Sequence, residues 1–581
     1  MSRSYLPARG LTALLDFAAG AHARAAALLV VVSLCAFLPG FLQIPPFDRD
    51  ESYFAQATKQ MIETGDYVDI RYQDDVRYRK PVGIYWLQAA AVNGARAFGL
   101  PNALTTIWLY RLPSLLGAVG AVLATYWCAL AFLTRRSAVI AALMMAGAIG
   151  LGVEARLAKT DAVLLLATVA AMGVLARAYL GSRARREDGE GATWRGASWR
   201  DASWALAALF WTALAAGTLV KGPLILMFVA LVAGTMSIMD RSARWLAALR
   251  PLPGVAWMVL LVLPWFVAIY LRAGDAFLVD SVGHDMLAKV GGGQETHGAP
   301  PGFYVVLFFI TFFPGSALAL PALPAIWAAR RQAATRFLLA WLVPSWIVFE
   351  LVPTKLPHYV LPLYPAIAIL IAAAMQTGTL SKWPVLTRAV LWWAIVPLAL
   401  SALAVAASFM IGGHLALKAW PFFAAAIVCG VYAWRSYGSD GAELALLRGL
   451  GAAILLAAGI YGVVLPSLKA AFPGVALAKL LHGVACDRPV AASAGYGEPS
   501  VVFLAGTKTR LIDGAAAADF LKDAGRARCR IAFVEAHEQA AFAKRAGAIG
   551  LHYGPAGRVQ GLNISNGEWI DVTAFQPADG P

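Results

Sequence analysis

A chain of 581 residues that is 60% hydrophobic and 14% charged, with a mean hydropathy of +0.66, is too apolar for a water-soluble globular protein and reads as an integral membrane protein. Its net charge of +15 falls largely in short loops between apolar stretches, where retained Lys and Arg report orientation, so it calls for no nucleic-acid partner. Three of the five cysteines, Cys35, Cys128 and Cys429, lie inside apolar stretches and read as small apolar filler; Cys486 and Cys529 lie in the polar tail.

A bilayer span takes about 20 apolar residues. Taken in order, the apolar stretches fall near 27–44, 112–133, 138–153, 161–179, 204–219, 223–239, 255–271, 303–326, 336–352, 359–376, 386–411, 415–434 and 447–466, which predicts about thirteen transmembrane helices. Residues 1–26 precede an apolar run long enough to remain as a span, so no cleavable signal is expected. Counted from a cytoplasmic N-terminus, the inner loops hold Arg135-Arg136, Arg183, Arg185, Arg186, Arg241, Arg244, Arg250, Arg330-Arg331, Lys382 and Arg435. Each is basic, and the same count places residues 45–111, 272–302 and everything after Leu465 outside.

The first outer loop is long and charged, with Asp48-Arg49-Asp50-Glu51 and Arg79-Lys80-Pro81. Apolar residues recur at helical spacing from Glu51 to Glu63 and from Val82 to Phe98, which predicts two helices lying along the interface. Gly65-Asp66 turns the chain between them, and 69–79 reads as polar and irregular. Residues 183–201 read as a flexible cytoplasmic loop. After Leu465 short apolar runs alternate with helix-like pieces, predicting a transmembrane unit at 1–466 and a small external α/β domain of about 115 residues at 467–581. Cys486 and Cys529 each precede a predicted strand. Parallel neighbouring strands would allow a disulfide if the Cα atoms come within roughly 7 Å; unrelated buried thiols are the other reading.

Ionisable residues at the ends of apolar spans are costly and therefore informative. They are Asp50, Glu51, Lys80, Arg156, Lys159, Asp161, Lys221, His284, Lys289, His297, Lys355 and His358, all on the predicted outer side. Asp161 with Thr160 reads equally as a helix cap and as a functional acid. Lys221, beside Gly222-Pro223, either snorkels to the surface or holds a phosphate. The 272–302 loop carries His284, Asp285, Lys289, Gly291-Gly292-Gly293 and His297, with no closely spaced metal-ligand pair; a divalent ion on His284 with Asp50 or Glu51 stays open. Lys355-Leu356-Pro357-His358-Tyr359 brings a cation and an aromatic to the start of a span. A transporter or flippase would place charges at span centres and show repeat symmetry, and neither is visible.

The ordered set Asp50-Glu51, Phe54-Ala55, Met61, Gly65-Asp66-Tyr67, Lys80-Pro81, Trp86, Arg156 to Asp161, Lys221-Gly222-Pro223, Pro264-Trp265, His284 and Lys355 to Pro365 resembles the bacterial lipid-linked-sugar glycosyltransferases of the C-type superfamily. These are related to the protein O-mannosyltransferases, and the resemblance is strongest to the aminoarabinose transferases that modify lipid A. Phe54 stands where relatives often carry Tyr, and Arg79 where many aminoarabinose transferases carry Glu. The resemblance implies an all-α polytopic membrane protein with a small C-terminal α/β domain outside the bacterial inner membrane. It implies transfer of 4-amino-4-deoxy-L-arabinose from undecaprenyl phosphate to a lipid A phosphate, with inversion, which confers resistance to cationic peptides. A related transferase moving another polyprenyl-phosphate sugar, such as mannose, to a protein or glycolipid is the alternative.

In that chemistry the departing lipid phosphate gains charge, so fixed cations are expected around it. Lys80 is the first choice, with Arg156, Lys221, His284, Lys289, Lys355 and Tyr359 completing the phosphate site. Asp50, Glu51 and Asp161 are the expected catalytic acids. An ionised phosphate acceptor needs no general base, whereas a hydroxyl acceptor would need Asp50 as one. No nucleotide or redox cofactor is implied, and the protein is expected to act as a monomer.

Overall fold

The computed structural model describes residues 6–187, 199–279, 298–484, 486, 489–523 and 529–578. Among these, eight helices are long and apolar enough to cross a bilayer. A ninth candidate is the pair Phe303–Thr311 and Gly315–Ala328, which meet at 116° around Pro314-Gly315. Shorter apolar helices lie at Gly10–Ala19, His22–Phe37, Leu224–Met239 and Leu361–Gln376, and each apolar stretch read from the sequence overlaps a helix or helix pair.

Two differences from the sequence reading stand at the N-terminal end. A helix covers Leu6–Ala19, and the next ends at Phe37 instead of running to 44. Pro39 cannot continue the helical hydrogen bonding, and Gly40 takes a left-handed φ of 76° that only glycine adopts without strain. Part of the loop expected at 183–201 is helical at its two ends, and its middle lies outside the described residues.

The long loop at 45–111 contains α1 (Asp50–Thr64) and α2 (Gly83–Ala97), as its periodicity implies. Asp50 and Glu51 occupy the first turn of α1, where the helix dipole favours negative charge, and Gly65 ends it with φ 73°. The segment read as irregular instead forms a two-stranded hairpin, β1 (Arg71–Tyr72) with β2 (Asp75–Val76). Its polar sequence hid a turn braced from outside: the Gln60 side-chain amide donates to the Gln73 carbonyl at 2.7 Å, and the Gln73 N–H donates to Gln60 Oε1 at 2.8 Å.

Behind the loop pack α3 (Ile107–Ala129) and α4 (Asp161–Glu187). Gly117 lets them approach closely, since a Cβ there would meet the backbone nitrogen of Val163 at 2.9 Å. That contact fixes the depth of the first turn of α4, and hence of Asp161.

The tail forms a mixed five-stranded sheet. Its strands are β3 (Val490–Ala494), β4 (Arg510–Leu511), β5 (Arg530–Glu535), β6 (Tyr553–Asn563) and β7 (Glu568–Pro577), in spatial order β4-β3-β5-β7-β6. β3 and β5 are parallel neighbours, with Val490 opposite Arg530. That register brings Cys486 and Cys529 together as a disulfide with Cα atoms 5.8 Å apart. The β6–β7 hairpin has no counterpart in the sequence reading, because Gly554, Pro555, Gly557 and Gly561 obscure its alternation.

Candidate active site

A cavity of ≈ 890 Å³ opens between the N-terminus of α1, the hairpin and the 153–161 and 354–359 segments. Asp50 lies on its wall with an exposed side chain, 3.9 Å from Lys159 Nζ. Lys80 is on the same wall, its ammonium donating to the Arg79 carbonyl at 3.0 Å.

Opposite them runs a chain of neighbouring ionisable groups. Lys159 Nζ stands 3.8 Å from Glu154 Oε2, and Glu154 Oε1 is 3.6 Å from His358 Nδ1. His358 Nε2 is in turn 3.6 Å from Asp161 Oδ1, which accepts from Lys221. Burial lowers the His358 imidazole well below its usual value against the pull of Asp161. Burial also works to lower Lys159, but Glu154, Asp161 and Asp50 outweigh it and hold the ammonium charged. Glu154, Asp161 and His358 offer donor atoms within 4.8 Å of one another, a set able to hold a divalent ion. The Lys221 ammonium already neutralises Asp161 there.

Several expected site residues are placed differently. Glu51 is fully buried and gripped by Arg111: Nε donates to Oε1 and Nη2 to Oε2, both at 2.8 Å. It also accepts from the backbone N–H groups of Ala158 and Phe47, each at 2.9 Å. With both oxygens held, Glu51 fastens α1 to the 158 segment at the edge of the cavity, where the sequence reading expected a catalytic acid. Arg156 lines the cavity, but its guanidinium donates to the carbonyls of Pro39, Gly152 and Ala36 and lies over Tyr461, so it braces backbone. Lys355 does not reach the cavity. Its buried ammonium donates to the carbonyls of Glu350 (2.9 Å) and Val352 (2.8 Å), capping the negative end of the Ala333–Leu351 helix. Tyr359 does line the cavity, with Lys221 Nζ 5.6 Å from its ring. His284, Lys289 and His297 lie outside the described residues.

Glu154 and Arg111 escaped the sequence reading. Arg111 is a lone charge within an apolar run and Glu154 closes another just before Arg156, and the signal that could have found them is the cost of burying such a charge unpaired. Lys159 and His358 stood in the outer-end set without an assigned role.

The tail reaches the same site. Asp48, two residues before Asp50, accepts from the Ser500 N–H (3.0 Å) and the Tyr496 hydroxyl (3.2 Å). Its carboxyl is pushed up to about 6, mainly by burial. A second cavity of ≈ 290 Å³, almost wholly apolar, shares Arg156 and Tyr461 with the first.

Residues 47–278 match the family model described as dolichyl-phosphate-mannose-protein mannosyltransferase. An undecaprenyl phosphate-alpha-4-amino-4-deoxy-L-arabinose arabinosyl transferase of Pseudomonas aeruginosa (strain LESB58) is 28% identical over 56% of this chain and 55% of the relative. One of the same description from Edwardsiella ictaluri (strain 93-146) is 27% identical over 61% and 59%. The chain therefore spans a little over half the length of the curated relatives it matches. The crystal structure of ArnT from Cupriavidus metallidurans bound to undecaprenyl phosphate shares the fold, with a TM-score of 0.72 and 18% identity over 94% of this chain and 97% of that one. The architecture is that of a multi-pass membrane protein with a small sheet domain at its C-terminal end.

Proposed function

We propose that the chain is a glycosyltransferase that moves 4-amino-4-deoxy-L-arabinose from undecaprenyl phosphate to a phosphate of lipid A at the periplasmic face of the bacterial inner membrane. The observation that carries this reading is the exposed Asp50 in a cavity whose walls carry Lys80, Lys159 and Lys221 and which adjoins an apolar chamber. A carboxylate facing fixed cations suits a sugar that becomes positive while its lipid phosphate leaves as an anion. The similarity to arabinosyl transferases supports the choice of sugar and carrier.

In this mechanism an oxygen of the lipid A phosphate attacks the anomeric carbon as the bond to the undecaprenyl phosphate oxygen breaks, in one inverting displacement. The acceptor is already ionised, so no proton is moved in the bond-forming step. Lys80 and Lys221 stabilise the departing phosphate, and Asp50 stabilises the cationic sugar. Asp161 orients Lys221, while Glu51 holds α1 in place. The added amine offsets acceptor charge, weakening the attraction of cationic peptides. No divalent ion is required, because Lys221 occupies the cation position beside Asp161; loss of transfer in chelator with recovery on adding Mn²⁺ or Zn²⁺ would overturn that part. The tail disulfide supports an oxidising compartment, and a monomer suffices for the whole site.

Mass spectrometry of lipid A from cells with and without the protein tests the reading. The expected difference is one aminopentose, absent with Asp50→Asn although the variant is inserted and monodisperse. An unchanged lipid A, or a hexose on another acceptor, would overturn it.

A further inference from the structure

The cations around the cavity divide by what already holds them. Lys159 lies between Asp50 and Glu154, Lys221 is bonded to Asp161, and Arg156 is committed to three backbone carbonyls. Arg77 and Arg79 line the same cavity, and among the described residues neither has a carboxylate within ion-pair distance. Arg77 is the sharper case. It is only 9% exposed, and its Nε has no hydrogen-bond partner. Its guanidinium lies over the rings of Tyr53 at 4.5 Å and Phe54 at 5.5 Å. Aromatic faces hold the plane of a guanidinium while leaving its N–H edge open. A buried cation with no anion and an unsatisfied donor is costly unless something binds it.

The backbone beneath is prepared. The Arg77 N–H donates to the Ile70 carbonyl at 2.8 Å, continuing the hairpin. The Tyr78 hydroxyl donates to Asp69 at 2.8 Å, and the Gln73 side-chain amide is held by carbonyls of Thr507 and Thr509 in the tail. The arginine edge is therefore positioned before any ligand arrives, and planar donors of this kind match phosphate oxygens in pairs.

We propose that Arg77, with Arg79 beside it, forms a second phosphate subsite in the cavity, separate from the lysines, and that it takes the phosphomonoester of the acceptor while the lysines take the donor. The assignment to the acceptor rests on the transfer reading above; the existence of the subsite does not. Two phosphates must share the cavity during transfer, and a separate arginine edge lets one bind without displacing the other.

The test uses the purified full chain with phosphatidylcholine vesicles carrying one probe lipid at a time: undecaprenyl phosphate, bisphosphorylated lipid A, or lipid A stripped of phosphate. Arg77→Met is expected to weaken binding to bisphosphorylated lipid A by roughly tenfold or more. Binding of the other two probes should stay within about twofold, and Arg77→Lys should recover part of the loss. Equal melting of wild type and Arg77→Lys guards against a folding artefact. Loss confined to undecaprenyl phosphate would move the subsite to the donor and overturn the acceptor assignment. No change with any probe would overturn the subsite itself. If lipid A from cells lacks the aminopentose while Arg77-dependent binding persists, the transfer reading fails and the subsite stands.

Discussion

Replacing Glu51 by Gln keeps the shape of the side chain but removes the charge from a pair whose members are 1% and 0% exposed. The Arg111 guanidinium would then face one carboxamide oxygen and the carbonyls of Phe41, Ile44 and Pro45. Breaking a fully buried ion pair costs about 3–5 kcal/mol, most of it the price of leaving the other charge uncompensated. At roughly 2 °C or less per kcal/mol for a chain of this size, the melting midpoint should fall by up to about 10 °C. Scanning fluorimetry in detergent reads this directly. Arg111→Met should cost a similar amount, and the double variant Glu51→Gln with Arg111→Met should cost far less than the sum. The coupling in that cycle should be at least about 2 kcal/mol. If Glu51→Gln melts with wild type while transfer is lost, Glu51 is a reacting group and the positioning argument is wrong.

Asp48 makes docking of the tail depend on pH. Its folded pKa, about 6, lies above the ordinary 3.8, so its contribution is fully present below about pH 4 and is lost as pH rises through 6. The two-unit shift is worth about 3 kcal/mol between those limits. Asp48→Asn should therefore slow hydrogen exchange at Val501–Ala505 at pH 8 and flatten its pH dependence; faster exchange in the variant would contradict this. Lys355→Met should lower the melting midpoint by a few degrees, as loss of a helix-end cation with two charge-assisted bonds requires, yet leave donor affinity unchanged. An impermeant thiol reagent applied to spheroplasts should label Cys486 and Cys529 only after reduction; labelling without a reductant would count against the bridge, and labelling only from the cytoplasmic side against the orientation.

What the sequence made legible was periodic or local. The two loop helices and the α/β character of the tail follow from patterns within a few residues, whereas the Cys486–Cys529 bridge was open in the sequence, because the two cysteines are 43 residues apart and only the parallel pairing of β3 with β5 joins them. Asp50, Lys80, Asp161 and Lys221 could be read as a set because each marks the end of an apolar run. The role of Glu51 was not legible, since it depends on Arg111, 60 residues away and embedded in Ile107-Trp108-Leu109-Tyr110. Lys355 misled for the same reason: a cation beside a proline looks identical whether it faces a ligand or the carbonyls of the helix before it. The hairpin and Arg77 were hidden because the polar sequence around them takes its order from α1 and the tail.

The short helix at Pro499–Ala505 lies directly against α1. Lys59 donates to the Phe503 carbonyl at 2.8 Å, and Thr507 joins Gln56 and Glu63. These contacts link residues 444 to 451 apart in the chain. A ribosome adding 5–20 residues per second needs roughly 20–90 s to cover that distance. Throughout that interval the helix bearing Asp50 exists without its cover, and Lys59 has no carbonyl to meet. A nascent chain can thus hold the helices before Ser467 and still leave the cavity beside Asp50 without the cover that the 499–507 segment gives α1.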